Sequence, residues 1–288
     1  MSYPRTRQLV TRFLSFIFFF LFSIFGASSA FALDPSLDIS QYAHTAWKIR
    51  ESFSKGYITS IAQTPDGYLW LGTEFGLLRF DGVRAVPWQP AAGEQLPSNQ
   101  IRSLLVSGDG TLWIGTLKGL TSWKDGELSQ YPELAGTTVF TLLEDREGTM
   151  WVGGFGTPTG KLCAFHGGSV QCYGEDGSLG QYVVSLYEDS RGNLWGEAST
   201  GLWRWKPGPP KHYPLPDLID APLVLLEGNN GTLLMATRRG LGQLADGKVE
   251  EYRLPGVGQQ FKPDKLFRDH NGGLWIGTLG QGLLHVHQ

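Results

Sequence analysis

Two cysteines, Cys163 and Cys172, are the only thiols in the chain, and a Gly167-Gly168 pair lies midway between them. Gly-Gly suits a two-residue hairpin loop, because such turns need positive φ at both central residues. With that loop, 166 faces 169, 165 faces 170, 164 faces 171 and Cys163 faces Cys172. The fourth pair is of the non-hydrogen-bonded kind, with Cα atoms ~4.5 Å apart, inside disulfide reach. The spacing therefore predicts a hairpin disulfide in an oxidising compartment, and two separate thiols otherwise.

Other groups promise less. The carboxylate pairs Glu144-Asp145 and Glu188-Asp189 would point to opposite faces of an extended strand, which is poor geometry for shared acid-base work. Both precede a turn, and turn capping accounts for them. His285 and His287 would share one strand face, but no third ligand lies near, and His44, His166, His212 and His270 are scattered. No metal site and no cofactor are expected. The run Gly240-Leu241-Gly242-Gln243-Leu244-Ala245 loosely matches a dinucleotide fingerprint, yet it opens a strand where the phosphate site needs a helix. Neither a Gly-x-Ser-x-Gly elbow nor a recognisable Ser-His-Asp set is present.

What positions all these groups is a repeat. Asp66-Gly67-Tyr68-Leu69-Trp70-Leu71-Gly72-Thr73-Glu74-Phe75-Gly76-Leu77 recurs from Asp109, Glu147, Arg191, Asn230 and Asn271. Its tryptophan slot holds Trp70, Trp113, Trp151, Trp195, Leu234 and Trp275, at spacings of 43, 38, 44, 39 and 41. Periods near forty with several strands per unit read as propeller blades. Strand a precedes each turn, strand b is the Leu-Trp segment, and strand c begins at Gly-Leu. Tight c-d turns are expected at Asp81-Gly82, Asp125-Gly126, Gly167-Gly168, Pro207-Gly208 and Asp246-Gly247. Strand d then closes on Tyr131, Tyr173, Tyr213 or Tyr252. The fold expected is all-β, a propeller of about six four-stranded antiparallel blades, with the tryptophans as inter-blade core.

The sixth unit stops short of its c-d turn. Either the segment Gln41 to Ile49 supplies its outer strand and closes a six-bladed ring, or the chain is a fragment of a longer, seven-bladed ring.

Residues 1–32 carry Arg5, Arg7 and Arg12, the apolar run Phe13 to Phe25, and Ala30-Phe31-Ala32. This is the pattern of a secretory signal peptide cleaved near Ala32, leaving residues 33–288 as the propeller domain. The rival is an uncleaved N-terminal anchor, although the run falls short of the ~20 residues a spanning helix needs. Cleavage would leave 21 Lys+Arg against 27 acids, a net charge of about −6, which speaks against nucleic acid as a partner. Thirty-nine glycines are nearly twice the usual share, and most serve turns.

The repeated D-G-x-L-W-[IL]-G-T-x-x-G-L unit, clearest at Asp66 to Leu77, Asp109 to Leu120 and Asn271 to Leu283, resembles the two-component regulator propeller repeat. Trp47-Lys48-Ile49-Arg50 is similar to the opening of such regions. The resemblance implies an extracytoplasmic input domain of a membrane histidine kinase, hybrid kinase or diguanylate cyclase, usually two seven-bladed rings, a β-sandwich and a transmembrane helix. It implies a small-molecule or glycan ligand, and a homodimer or a membrane-bound kinase or cyclase module as partner. No dimerisation helix, ATP-binding box, receiver or cyclase motif is visible, so enzymatic output is not expected from this chain. Blades at Glu147, Arg191 and Asn230 depart from the pattern, with Trp151-Val152-Gly153-Gly154, Trp195-Gly196-Glu197 and Leu234-Met235-Ala236.

The variable pair in each b-c loop, Glu74-Phe75, Leu117-Lys118, Ser199-Thr200, Arg238-Arg239 and Leu279-Gly280, is where a rigid scaffold would display recognition residues. Glu74, Phe75, Lys118, Arg238 and Arg239 are the ligand-binding candidates, and the three cations would suit an anionic group. Two other readings compete: a secreted enzyme resembling the streptogramin lyases, whose blades carry a similar Gly-x-Leu-Trp motif, and a plain protein-interaction scaffold.

Overall fold

The structure, a computed structural model, describes residues 56–206, 208–216, 224–228, 231–237, 239–254 and 261–286. All lie in one of the chain's two compact units, Lys48–Gln288. Residues 1–32, where a signal peptide is expected, the segment Gln41 to Ile49, Arg238 and His287 fall outside the described residues.

Among the described residues, twenty-three strands form six antiparallel sheets in chain order. Blade I holds β1 (Ile58–Gln63), β2 (Leu69–Thr73), β3 (Gly76–Phe80) and β4 (Ala85–Trp88). Blade II holds β5 (Ile101–Val106), β6 (Leu112–Thr116), β7 (Gly119–Lys124) and β8 (Glu127–Gln130). Blade III holds β9 (Thr138–Glu144), β10 (Met150–Phe155), β11 (Lys161–His166) and β12 (Ser169–Tyr173). Blade IV holds β13 (Val183–Glu188), β14 (Leu194–Ala198), β15 (Gly201–Arg204) and β16 (Lys211–Tyr213). Blade V holds β17 (Val224–Glu227), β18 (Leu233–Thr237), β19 (Gly240–Ala245) and β20 (Lys248–Tyr252). Blade VI has three strands among the described residues, β21 (Pro263–Arg268), β22 (Leu274–Thr278) and β23 (Gly282–Val286). This is the expected all-β propeller, with strand a innermost and each strand a packed against the next.

Side-chain capping explains why each a-b turn forms. The residue after strand a accepts the indole N–H of the strand-b tryptophan: Trp70 to Thr64 at 2.9 Å, Trp113 to Ser107 at 3.2 Å, and Trp151, Trp195 and Trp275 to Asp145, Asp189 and Asp269 at 2.8 Å each. The three aspartates also accept backbone N–H groups of their own turns, as with Thr149 and Asn193. Blade V has Leu234 in the tryptophan slot, and there the acceptor position is Gly228. Donor and acceptor disappear together, because a buried indole N–H without an acceptor is costly.

The c-d turns follow the expectation in three blades. Asp125-Gly126, Gly167-Gly168 and Asp246-Gly247 all have positive φ at both residues, closing two-residue hairpins. At Asp81-Gly82 the connection runs over four residues, since Asp81 Oδ1 accepts the N–H groups of Val83 and Arg84 and opens the loop. Near Pro207-Gly208 it is longer still, spanning the gap between Arg204 and Lys211, where three prolines in four positions cannot supply ladder donors.

One junction geometry recurs between blades. The strand-b residue two after the tryptophan slot is glycine in blades I, II, III and VI, as Gly72, Gly115, Gly153 and Gly277, and in the first three it faces the following blade. A Cβ on Gly72 would lie 2.7 Å from Ile101, one on Gly115 2.7 Å from Val139, and one on Gly153 2.9 Å from Val183. Each neighbour belongs to the next strand a. Hydroxyls stitch the same level: Thr59 Oγ1 donates to Ile101 O at 2.9 Å, Leu104 N to Ser60 Oγ at 3.0 Å, and Ser103 Oγ to Val139 O at 3.1 Å. At the a-b end, carboxylates reach back to the preceding blade. Gly108 N donates to Glu144 at 2.6 Å, Arg146 N to Glu188 at 3.0 Å and Ser190 N to Glu227 at 2.7 Å.

Candidate functional site

The b-c loops are shaped by the repeat's threonine. In blade I, Thr73 Oγ1 donates to Gly76 O at 2.8 Å and accepts the N–H of Phe75 at 3.1 Å. Thr116 does the same for Gly119 and Lys118, and Thr237 for Gly240 and Arg239. The loop is thereby fixed while its two variable side chains stand outward. Glu74, Phe75, Lys118 and Arg239 are all exposed on the b-c ends of their blades.

The described candidates lie on different blades, I, II and V. Phe75 alone among them lines a groove of about 640 Å³ on blade I, with Thr73, Leu77, Trp88, Gln89, Gln95 and Asn99. Glu74 stands beside Phe75 but outside the lining, Lys118 belongs to blade II and Arg239 to blade V. The connection Gln89 to Asn99 forms the outer wall, so a loop not singled out in the sequence contributes most of the polar lining. Its Gln and Asn content was the available signal.

Cys163 and Cys172 are bonded, with Cα atoms 4.1 Å apart, and they face each other between β11 and β12 in the expected register. Cys163 is fully buried at the junction of blades II and III, so the bond ties the outer strand to the core. The paired carboxylates diverge as expected: Glu144 leaves for blade II, while Asp145 stays in its turn. Asp145 also receives Lys206 Nζ at 2.7 Å, and Lys206 reaches Glu147 at 2.6 Å. Burial would raise the Asp145 carboxyl, but Lys206 and Trp151 outweigh it and hold it below the usual carboxylate range.

Among the described residues no group of three or more His, Cys, Asp and Glu could hold a metal ion. His285 stacks on Trp275 with ring centres 3.6 Å apart and lies 3.3 Å from Asp269. His212 meets the carbonyl of Thr200 at 2.8 Å.

One buried ionisable group was not anticipated. Glu197 fills the slot that glycine holds in four other blades, is fully buried, and neither carboxyl oxygen has a hydrogen-bond partner. Burial pushes it up to about 9, so it is neutral at pH 7. Its signal was an acid where the repeat calls for glycine; read along the sequence, that looked only like a degenerate blade.

Three segments, residues 52–75, 95–118 and 133–156, match the profile of the family described as two component regulator propeller. Each ends at the b-c loop of blade I, II or III. No curated protein sequence is significantly similar to the chain. Among solved structures, the extracellular domain of the hybrid two component system BT4673 from B. thetaiotaomicron aligns at 21% identity and TM-score 0.52, covering 79% of this chain and 33% of that one. Virginiamycin B lyase from Staphylococcus aureus aligns at 16% identity and TM-score 0.59, covering 80% and 83%. PorZ, a surface component of the type-IX secretion system of Porphyromonas gingivalis, aligns at 18% identity and TM-score 0.57, covering 77% and 38%. The chain spans about a third of the B. thetaiotaomicron domain. At these identities the likeness is one of fold. No helix of the described residues is long and apolar enough to cross a membrane. Blades I to III thus carry segments that match the two component regulator propeller model, and it is this repeat that the chain resembles.

Proposed function

We propose that the chain acts as an extracytoplasmic input domain, binding a small molecule or glycan and passing occupancy to a membrane-bound kinase or cyclase module. The observation that carries this reading is the blade I groove, a concave site of about 640 Å³ at the b-c end of a rigid blade and lined in part by Phe75. Phe75 is 60% exposed, an apolar face kept in water at a cost that ligand contact would recover. The repeat match supports a sensor role, and the signal-peptide pattern of residues 1–32 supports delivery beyond the cytoplasm. Polar amides beside aromatic faces favour a neutral polyhydroxylated ligand over the anionic one that the cationic b-c residues suggest, because neither Lys118 nor Arg239 lines the groove.

A thermal-shift series with neutral oligosaccharides and small organic acids tests the proposal. A ligand at a hundred times its Kd stabilises the fold by about 2.7 kcal/mol, and Phe75→Ala abolishes that shift while leaving the unliganded Tm within a degree or two. No shift at saturating concentrations favours the interaction scaffold instead. The lyase reading draws on the coverage of 83% of the Staphylococcus aureus enzyme. Binding without turnover predicts that quinupristin, the compound bound to an inactive form of that enzyme, stays intact on incubation with this protein.

A further inference from the structure

Glu197 lies on the face of β14 that looks toward blade V. Trp195, on the same face, belongs to the core shared with Leu225, Leu233, Met235 and Val249 of blade V, and Glu197 sits two residues further along the strand. Its cross-strand partners are Ser185 and Leu202. At the equivalent level of the three preceding junctions the glycine lets a β-branched side chain of the next blade close down, and at I–II and II–III a hydroxyl bond also crosses between inner strands. Neither device can operate where a whole glutamate side chain intervenes.

Among the described residues, the ionisable groups facing this junction from blade IV are Tyr187 on β13, Asp189 and Arg191 in the turn between β13 and β14, Arg204 on β15, and Lys211 and Tyr213 on β16. Blade V contributes Glu227 at the end of β17 and Glu251, two residues along β20 on the face of Val249, and β18 contributes none. Glu227 is engaged with Ser190, and Lys211 lies over the Tyr213 ring. None of these groups hydrogen-bonds the Glu197 carboxyl, whose two oxygens are both unpartnered.

An ionised carboxylate cannot remain in such a place, since an unpaired buried charge costs far more than a neutral acid. It must either hold its proton or reach water, and reaching water means parting blades IV and V. We propose that the junction between blades IV and V is a proton-responsive joint, closed while the Glu197 carboxyl carries its proton and opened when that proton is lost. Rising pH therefore favours the open joint, at up to tenfold per pH unit between the ordinary carboxylate range and the buried group's titration.

Thiol labelling of a buried probe tests this. Met235→Cys places a thiol in the joint, where Met235 is fully buried, and Leu112→Cys places a reference thiol in the I–II core, where Leu112 is fully buried. The native cysteines are bonded to each other and silent. Labelling rates by iodoacetamide are divided by the rate of an unstructured thiol at each pH. From pH 6 to pH 8 the corrected rate at position 235 rises by up to ~100-fold, stays flat with Glu197→Gln added, and stays flat at position 112 in both backgrounds. An equal rise with Glu197→Gln, or a parallel rise at position 112, overturns the joint. Amide exchange over β17, corrected for its intrinsic pH dependence, gives the same contrast without a substitution at position 235.

Discussion

Junctions I–II and IV–V are built from the same repeat yet solve the packing of neighbouring blades in opposite ways. Between blades I and II, Gly72 admits Ile101, two hydroxyl bonds cross between inner strands, and Trp70, Trp88 and Trp123 meet with ring centres 5.4 to 6.0 Å apart. Between blades IV and V the glycine is Glu197, the carboxyl is unsatisfied, and the carboxylate clasp from Glu227 to Ser190 remains at the a-b end. The difference teaches that blade cohesion is carried at two levels, the inner-strand level and the turn level, and that one can be given up while the other persists.

The most severe way to break the comparison is to move the acid. At Gly115 a Cβ would fall 2.1 Å from Ser103 Oγ and 2.7 Å from Val139, so Gly115→Glu combines overpacking with a buried carboxyl. A loss of roughly 5 kcal/mol or more is expected, read by urea unfolding, and a loss under ~1 kcal/mol would show that the slot does not constrain the residue.

Next in size is the indole clasp. Asp145→Ala strands the Trp151 N–H and takes from Lys206 one of its two carboxylate partners, leaving Glu147, and about 3 kcal/mol should be lost. The pair Asp145→Gly with Trp151→Leu rebuilds the arrangement of blade V, where Gly228 faces Leu234. Its cost should be ~1–2 kcal/mol smaller than the sum of the single changes; strict additivity would mean that the two positions are not coupled.

Smaller again is the disulfide. Cys163→Ser with Cys172→Ser frees a ten-residue loop and should cost about 2–3 kcal/mol. Because the bond lies on the outer edge of blade III, amide protection should fall in β12 and stay unchanged in β19; equal loss in both would make the propeller a single cooperative block with no distinct junctions.

Much of this was legible along the chain. The Gly167-Gly168 loop fixed the pairing of Cys163 with Cys172 because register in a two-residue hairpin leaves no freedom. Blade number, strand order and the outward b-c residues followed from the period of the tryptophan slot. Other features were hidden for physical reasons. The indole acceptors Thr64, Ser107, Asp145, Asp189 and Asp269 differ in type and lie six residues before their tryptophans, so no fixed motif reports them. The groove wall from Gln89 to Asn99 has no periodicity to read. Glu197 was invisible as a site because its meaning depends on which neighbour faces it, and that neighbour lies in the next blade.

The most direct measurement is urea unfolding of the wild-type protein and Glu197→Gln from pH 4.5 to pH 9. The folded group titrates near 9 and the unfolded one near ~4.3. Its contribution is therefore fully present below the ordinary carboxylate range and is lost as pH rises toward 9. The two proteins should match at pH 4.5 and diverge by up to about 1.4 kcal/mol per pH unit above it, wild type falling and Glu197→Gln staying level. Parallel curves across the whole range would contradict the proton-responsive joint.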